Sequence, residues 1–176
     1  MILKITCIFT FVLLLSACSS YQYKNYATTI ESAKILDLAE GEQDAPVIYF
    51  DTITYRDIGI PFHRLLLATH LNGETLPSAG RKSLLDLDGY QALRLKAGEH
   101  NIEWCWVSMN SLGSGGAKCE FSAGNFLFEP RKKYLASWRT QTRTTGSPQQ
   151  STQTININTF ISDLETGKVL FPKPVE

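Results

Sequence analysis

Hydrophobic and polar positions alternate along most of this chain with a period of two, which predicts strands rather than helices. The stretch VIYFDTITY (47–55) is rich in β-branched and aromatic residues and reads as one strand. HRLLLATHL (63–71) reads as a second, and Asn72-Gly73 follows it as a hairpin turn signal. A further turn is expected at Asp88-Gly89, within LLDLDGYQALRL. Two extended segments then flank Ala97-Gly98-Glu99. In the second, Ile102, Trp104 and Trp106 share one face, and Glu103, Cys105 and Val107 share the other. NSLGSGGA (110–117) reads as a Gly-rich loop and TGSPQQSTQ (145–153) as a polar loop tip. In TQTININTFISD, Ile155, Ile157, Thr159 and Ile161 line one face, and DLETGKVLF turns back through Gly167.

These signals predict a mainly β domain, an antiparallel β-sandwich of about seven or eight strands, with one short amino-terminal helix or tether. The helix is expected at 29–39. There Thr28 and Glu31 fit a capping box, good helix formers follow, and Gly41 would stop the helix.

The amino-terminal end has a different pattern. Lys4 precedes an almost wholly apolar run from Ile5 to Leu15, too short for a stable bilayer span. Leu15, Ser16, Ala17 and Cys18 follow as Leu, two small residues and Cys. This stretch resembles the lipobox of bacterial lipoprotein signals. The resemblance implies cleavage before Cys18, acyl chains on its thiol and anchoring in a membrane. Ser19, in place of the Asp that retains such proteins in the inner membrane, implies the periplasmic face of the outer membrane. Residues 1–17 are then a signal peptide, 18–44 a lipidated tether with the short helix, and 45–176 the sandwich.

Composition narrows the partners. The sequence carries 17 Lys and Arg against 17 Asp and Glu. Loss of Lys4 with the signal leaves the acids one ahead. A near-neutral domain does not present the basic face that nucleic acid requires. The membrane contact is expected through the anchor on Cys18, and an envelope protein or peptidoglycan as a further partner. No cofactor motif is present. Export would also leave Cys105 and Cys119 as the two free thiols in an oxidising compartment. They lie on segments expected to be neighbouring strands, which points to a disulfide; two separate buried thiols are the alternative. A C-x13-C pair without further ligands is a poor zinc pattern.

Around LDLDGYQALRLKAGEHNIEW the chain resembles uncharacterised bacterial lipoproteins with small β-sandwich domains, like the PEGA-type modules. The resemblance spans roughly residues 45–140. It is carried by the turn Ala97-Gly98-Glu99-His100-Asn101-Ile102, with Ala in place of the usual Pro, by the upstream VIYFDTITYR and by Lys133-Tyr134-Leu135. It implies a fold and no catalytic residues.

Candidate chemistry is sparse. His63 and His70 flank one strand and His100 begins another, so separate surface or turn histidines are expected, with no metal site. LGSGGAKC has glycines around Ser114 without the spacing of a nucleophile elbow. ETGKV has Gly-Lys without the rest of a phosphate-binding loop. Trp104 and Trp106 on one face suit either core packing or a platform for sugars or peptidoglycan. Arg139 and Arg143 share a strand face where an anionic ligand would fit. Trp104, Trp106, Arg139 and Arg143 therefore form the possible ligand face. The function expected is a noncatalytic, membrane-anchored envelope module for binding or structure. The alternative is a lipid-anchored cell-wall hydrolase.

Overall fold

A computed structural model describes residues 26–80, 88–110, 114–147 and 150–172, with the backbone alone for 143–147 and 150–154. The signal stretch 1–17, Cys18 and Ser19 lie outside the described residues, as does the first arm of the expected hairpin before Asp88. Among the described residues, eleven strands form two sheets. They are β1 (Ile35–Asp37), β2 (Val47–Phe50), β3 (Thr52–Asp57), β4 (Ile60–Leu71), β5 (Glu74–Thr75), β6 (Ala92–Arg94), β7 (Gly98–Asn110), β8 (Gly115–Phe128), β9 (Lys133–Ser147), β10 (Gln150–Asp163) and β11 (Val169–Phe171). One sheet has the order β1-β6-β2-β9-β10-β11; the other runs β3-β4-β7-β8, with β5 on β4. The two pack as a β-sandwich, as the period-two pattern predicts.

Three features depart from the sequence reading. The expected helix at 29–39 is a single 3-10 turn, Ile30–Ser32, followed by β1. β1 pairs in parallel with β6, so the sandwich begins before residue 45. Helix propensity is a weak prior, and a sheet edge offers Ile35–Asp37 backbone partners that a short isolated helix lacks. The strand count exceeds seven or eight, and the six-stranded sheet is mixed, with β2 also parallel to β9.

The third departure is the split of VIYFDTITY into β2 and β3 at Asp51. The Asp51 amide donates to the Ala136 carbonyl in one sheet, and its own carbonyl accepts from the Leu66 amide in the other. Its carboxylate accepts from the Thr52 amide at 2.8 Å and the Ser137 hydroxyl at 2.6 Å. Asp51 is thus the point where the chain passes between sheets. The expected Asn72-Gly73 turn is present, with φ of 53° and 82°, joining β4 to β5. Ala97-Gly98-Glu99 also connects the sheets, from β6 to β7.

The main core lies between the sheets around Trp104, Phe50, Ile48, Leu66, Phe128 and Tyr134. Ile102, Trp104 and Trp106 of β7 face it, as their alternation predicts. The opposite face of β7 carries Cys105, Val107 and Met109, which join Leu65 and Leu67 of β4 and Tyr26 in a second buried cluster. Cys105 and Cys119 are disulfide-bonded there and tie β7 to β8. At Gly89 the chain passes so close to β4 that a Cβ would lie 2.6 Å from the Ala68 carbonyl oxygen. Tyr90 and Ala68 exchange two backbone hydrogen bonds beside it.

Candidate functional site

A recess of about 760 Å³ opens at the end of the sandwich where β8, β9, β10 and β11 meet. That volume is ordinary for a small-ligand site. Its floor is aromatic. Phe126 meets Phe128, Tyr134 and Phe171 edge-on, with ring centroids 4.8, 5.4 and 6.4 Å apart. Edge-to-face contacts of this kind fix ring orientation beyond simple area burial. Glu99, Glu129, Lys132, Asp163 and Lys168 contribute to the lining, so the apolar floor carries charges of both signs.

Asp163, at the end of β10, organises the rim. Its Oδ1 accepts from the Glu165 and Thr166 amides at 3.0 and 2.8 Å and from the Thr166 hydroxyl at 3.0 Å. Oδ2 pairs with Lys132 Nζ at 3.2 Å. The Thr166 amide is the largest influence, and with Lys132 it brings the carboxyl down to about 2 against the opposing effect of burial. The same pair raises Lys132. Burial pushes the Tyr134 hydroxyl up, while that oxygen accepts from the Glu129 amide at 2.8 Å. A carboxylate so strongly stabilised as the anion is a poor general base near neutral pH. The arrangement suits holding an amphipathic ligand rather than moving protons.

A second polar assembly fastens the amino-terminal segment. Gln91 is fully buried and grips the backbone of Ala27 from both sides: its Oε1 accepts from the Ala27 amide at 2.8 Å and its Nε2 donates to the Ala27 carbonyl at 3.0 Å. The Thr52 hydroxyl donates to the same carbonyl at 3.3 Å. His63 Nε2 lies 3.1 Å from that hydroxyl oxygen, and Nδ1 lies 3.0 Å from the Thr54 hydroxyl. With Thr52 donating to Ala27, the network assigns the His63 proton to Nε2 and leaves Nδ1 to accept from Thr54. Burial lowers the His63 pKa, partly opposed by the Ala27 carbonyl.

The three histidines stand apart. His63 belongs to the Ala27 clasp. His70 contacts the Thr69 hydroxyl and lies 3.7 Å from Glu103 on the half-exposed sheet surface. His100 is held between Asn72 and the Lys96 carbonyl. None lines the recess, and no group of three metal-ligating side chains occurs among the described residues.

The possible ligand face does not assemble. Trp104 is wholly buried between the sheets and Trp106 is 9% exposed, so neither ring is open for stacking. Apolar neighbours on both sheets claim the Ile102-Trp104-Trp106 face for the core. Arg139 alternates with the core residue Trp138 and therefore lies on the outer side of the six-stranded sheet, 5.2 Å above the Phe160 ring. It borders a shallow hollow of about 270 Å³ with Gln141, Asn158 and Phe160. Arg143 is placed by backbone register opposite Thr154. Sequence reasoning missed Asp163 and Gln91. A short Asp-x-x-Thr turn signal at 163–166 was available for the first; nothing local marks Gln91 as buried.

No protein-family model, no curated protein and no solved structure matches this chain.

Proposed function

We propose that this chain is a lipoprotein of the bacterial cell envelope, held by acyl chains on Cys18, with its β-sandwich acting as a noncatalytic binding module that faces the periplasm. The lipobox-like sequence supports the anchor, and Ser19 favours the outer membrane. The observation that carries the binding role is the recess of about 760 Å³, with its aromatic floor and ion-paired rim. Its strongest carboxylate is committed to three donors and a lysine, which favours recognition over acid-base chemistry. The clasp on Ala27 fits a tethered module. Eight residues separate Cys18 from Ala27, so the chain between them reaches at most about 32 Å.

Two measurements test the proposal. Mass spectrometry of the purified protein should show diacylglycerol on Cys18, and Cys18→Ala should accumulate as an unprocessed precursor. A free mature amino terminus in wild type removes the anchor reading. A photocrosslinking residue at Leu127, exposed beside the recess, should yield a discrete envelope adduct that Phe126→Ala reduces. Peptidoglycan cleavage by the purified protein that disappears in Asp163→Asn overturns the noncatalytic role.

A further inference from the structure

The hairpin of β3 and β4 carries a side chain that its backbone disfavours. The register pairs Asp57 with Ile60, leaving Ile58 and Gly59 as the two turn residues, with φ of 47° and 77°. Such turns favour Asn-Gly, and a β-branched residue in the left-handed region is an outlier. Ile58 is nevertheless 96% exposed. Ile53 on the same hairpin is also exposed.

Behind this tip stands an aromatic and cationic group. Tyr55 and Phe62 stack at 5.3 Å with planes 14° apart. The Arg64 guanidinium lies 4.7 Å above Tyr55 and 5.9 Å from the Trp106 ring. Pairing places Tyr55, Phe62, Arg64, Trp106 and Lys118 on one face of the five-stranded sheet. Among the described residues Arg64 has no carboxylate partner, and its Nε and the Trp106 Nε1 are buried donors without an acceptor. Arg56 and Asp57 offset each other beside the tip, leaving Arg64 and, further along the face, Lys118 as the positive charges. An exposed aliphatic tip, a stacked aromatic pair and an unpaired arginine in that order match the layers of a bilayer surface: acyl chains, interface and phosphate.

The tether ends at the base of the same hairpin. Thr52, Thr54 and His63, on the other side of this hairpin, form the clasp on Ala27. The hairpin thus shares with Gln91 the hold on the end of the tether, within the reach of the eight intervening residues.

We infer that the β3–β4 hairpin is a second membrane contact, placing Ile58 among the acyl chains and Arg64 against the phosphates of an anionic phospholipid bilayer. This rests on the proposed anchor for its geometry, while its chemistry is independent of acylation. It also orients the molecule. β7 runs from Glu99 beside the recess to Met109 opposite His63, about 33 Å at strand rise, so the recess opens at the end remote from the bilayer.

The test uses the full mature chain reconstituted in vesicles, with Ile58→Trp as a reporter and bromine-labelled phospholipids as quenchers. The three native tryptophans are buried and supply a constant background. The expected result is a blue-shifted, quenched emission in phosphatidylglycerol vesicles, reduced in phosphatidylcholine and by Arg64→Ala. Ile58→Asn suits the turn better, so it should raise stability while lowering vesicle partitioning of the Cys18→Ala chain, produced as residues 18–176 without the signal stretch, on the order of tenfold. A purely structural role for Ile58 does not separate these two readouts. An unquenched reporter in the acylated protein overturns the inference. If Cys18 carries no lipid yet the Cys18→Ala chain still binds anionic vesicles through position 58, the hairpin contact stands and the anchor reading falls.

Discussion

Replacing Gln91 by leucine isolates the clasp on Ala27. Leucine fills nearly the same space, so the change removes hydrogen bonds without leaving a large void. Two bonds are lost, at 2.8 and 3.0 Å. The Ala27 carbonyl keeps the Thr52 hydroxyl. The Ala27 amide loses its partner in a half-buried setting, costing about 1–3 kcal/mol, and the second bond contributes about 1 kcal/mol. A loss of about 3 kcal/mol follows. For a domain of this size that lowers Tm by roughly 6–12 °C. Urea denaturation of the mature domain should show a reduced midpoint with an unchanged slope, and amide exchange at Ala27 should accelerate. Gln91→Glu separates the bonds from the shape. Its second oxygen would face the Ala27 carbonyl as a buried charge, so it should destabilise more than leucine at neutral pH and recover toward wild type in acid, where the protonated carboxyl can donate to that carbonyl. A change under about 1 kcal/mol in both variants, with slow exchange retained at Ala27, would refute the clasp as a source of stability.

The Cys105–Cys119 bridge closes a loop with a sequence separation of 14, so Cys105→Ser should cost about 3 kcal/mol in the chain-entropy model, read by thermal melting; equal melting temperatures before and after reduction would dispose of it. Gly89→Ala places a Cβ 2.6 Å from a backbone carbonyl of β4 and should destabilise by about 1–3 kcal/mol, measured by denaturant midpoint. Asp163 titrates near 2 in the folded state against an ordinary value of 3.8. Its stabilisation is therefore complete above pH 4 and lost as pH falls toward 2. Asp163→Asn should flatten that part of the stability–pH curve, and an unchanged slope would contradict the assignment.

Local signals were legible where local physics decides the outcome. Asn72-Gly73 adopts the backbone its residue types favour, and the two faces of β7 separate as their alternation predicts. The misreadings share a cause, since each depends on a distant partner. VIYFDTITY contains nothing that marks Asp51 as a crossing point; that role comes from Ala136 in one sheet and Leu66 in the other. Ile35–Asp37 has a helical pattern, yet it is recruited by β6 from more than fifty residues away. The parallel pairing of β2 with β9 is likewise invisible locally. The site behaves the same way. Trp106 was noticed for its exposure potential, but its cationic neighbour is Arg64, reached only through the β4–β7 register, rather than Arg139 or Arg143. Of the two readings of the Ile102-Trp104-Trp106 face, core packing and ligand platform, the first holds because the second sheet covers it.

The crossing at Asp51 bears on how the molecule can open. A sandwich whose sheets are joined by long loops can lose one sheet while the other persists. Here a single residue separates β2 from β3, and its two backbone groups are spent in different sheets. Detaching either sheet pulls directly on the hydrogen bonds of the other. Native-state exchange should therefore show no sub-global opening confined to one sheet around β2, β3 and β4. Their amides should open together, at the free energy of global unfolding.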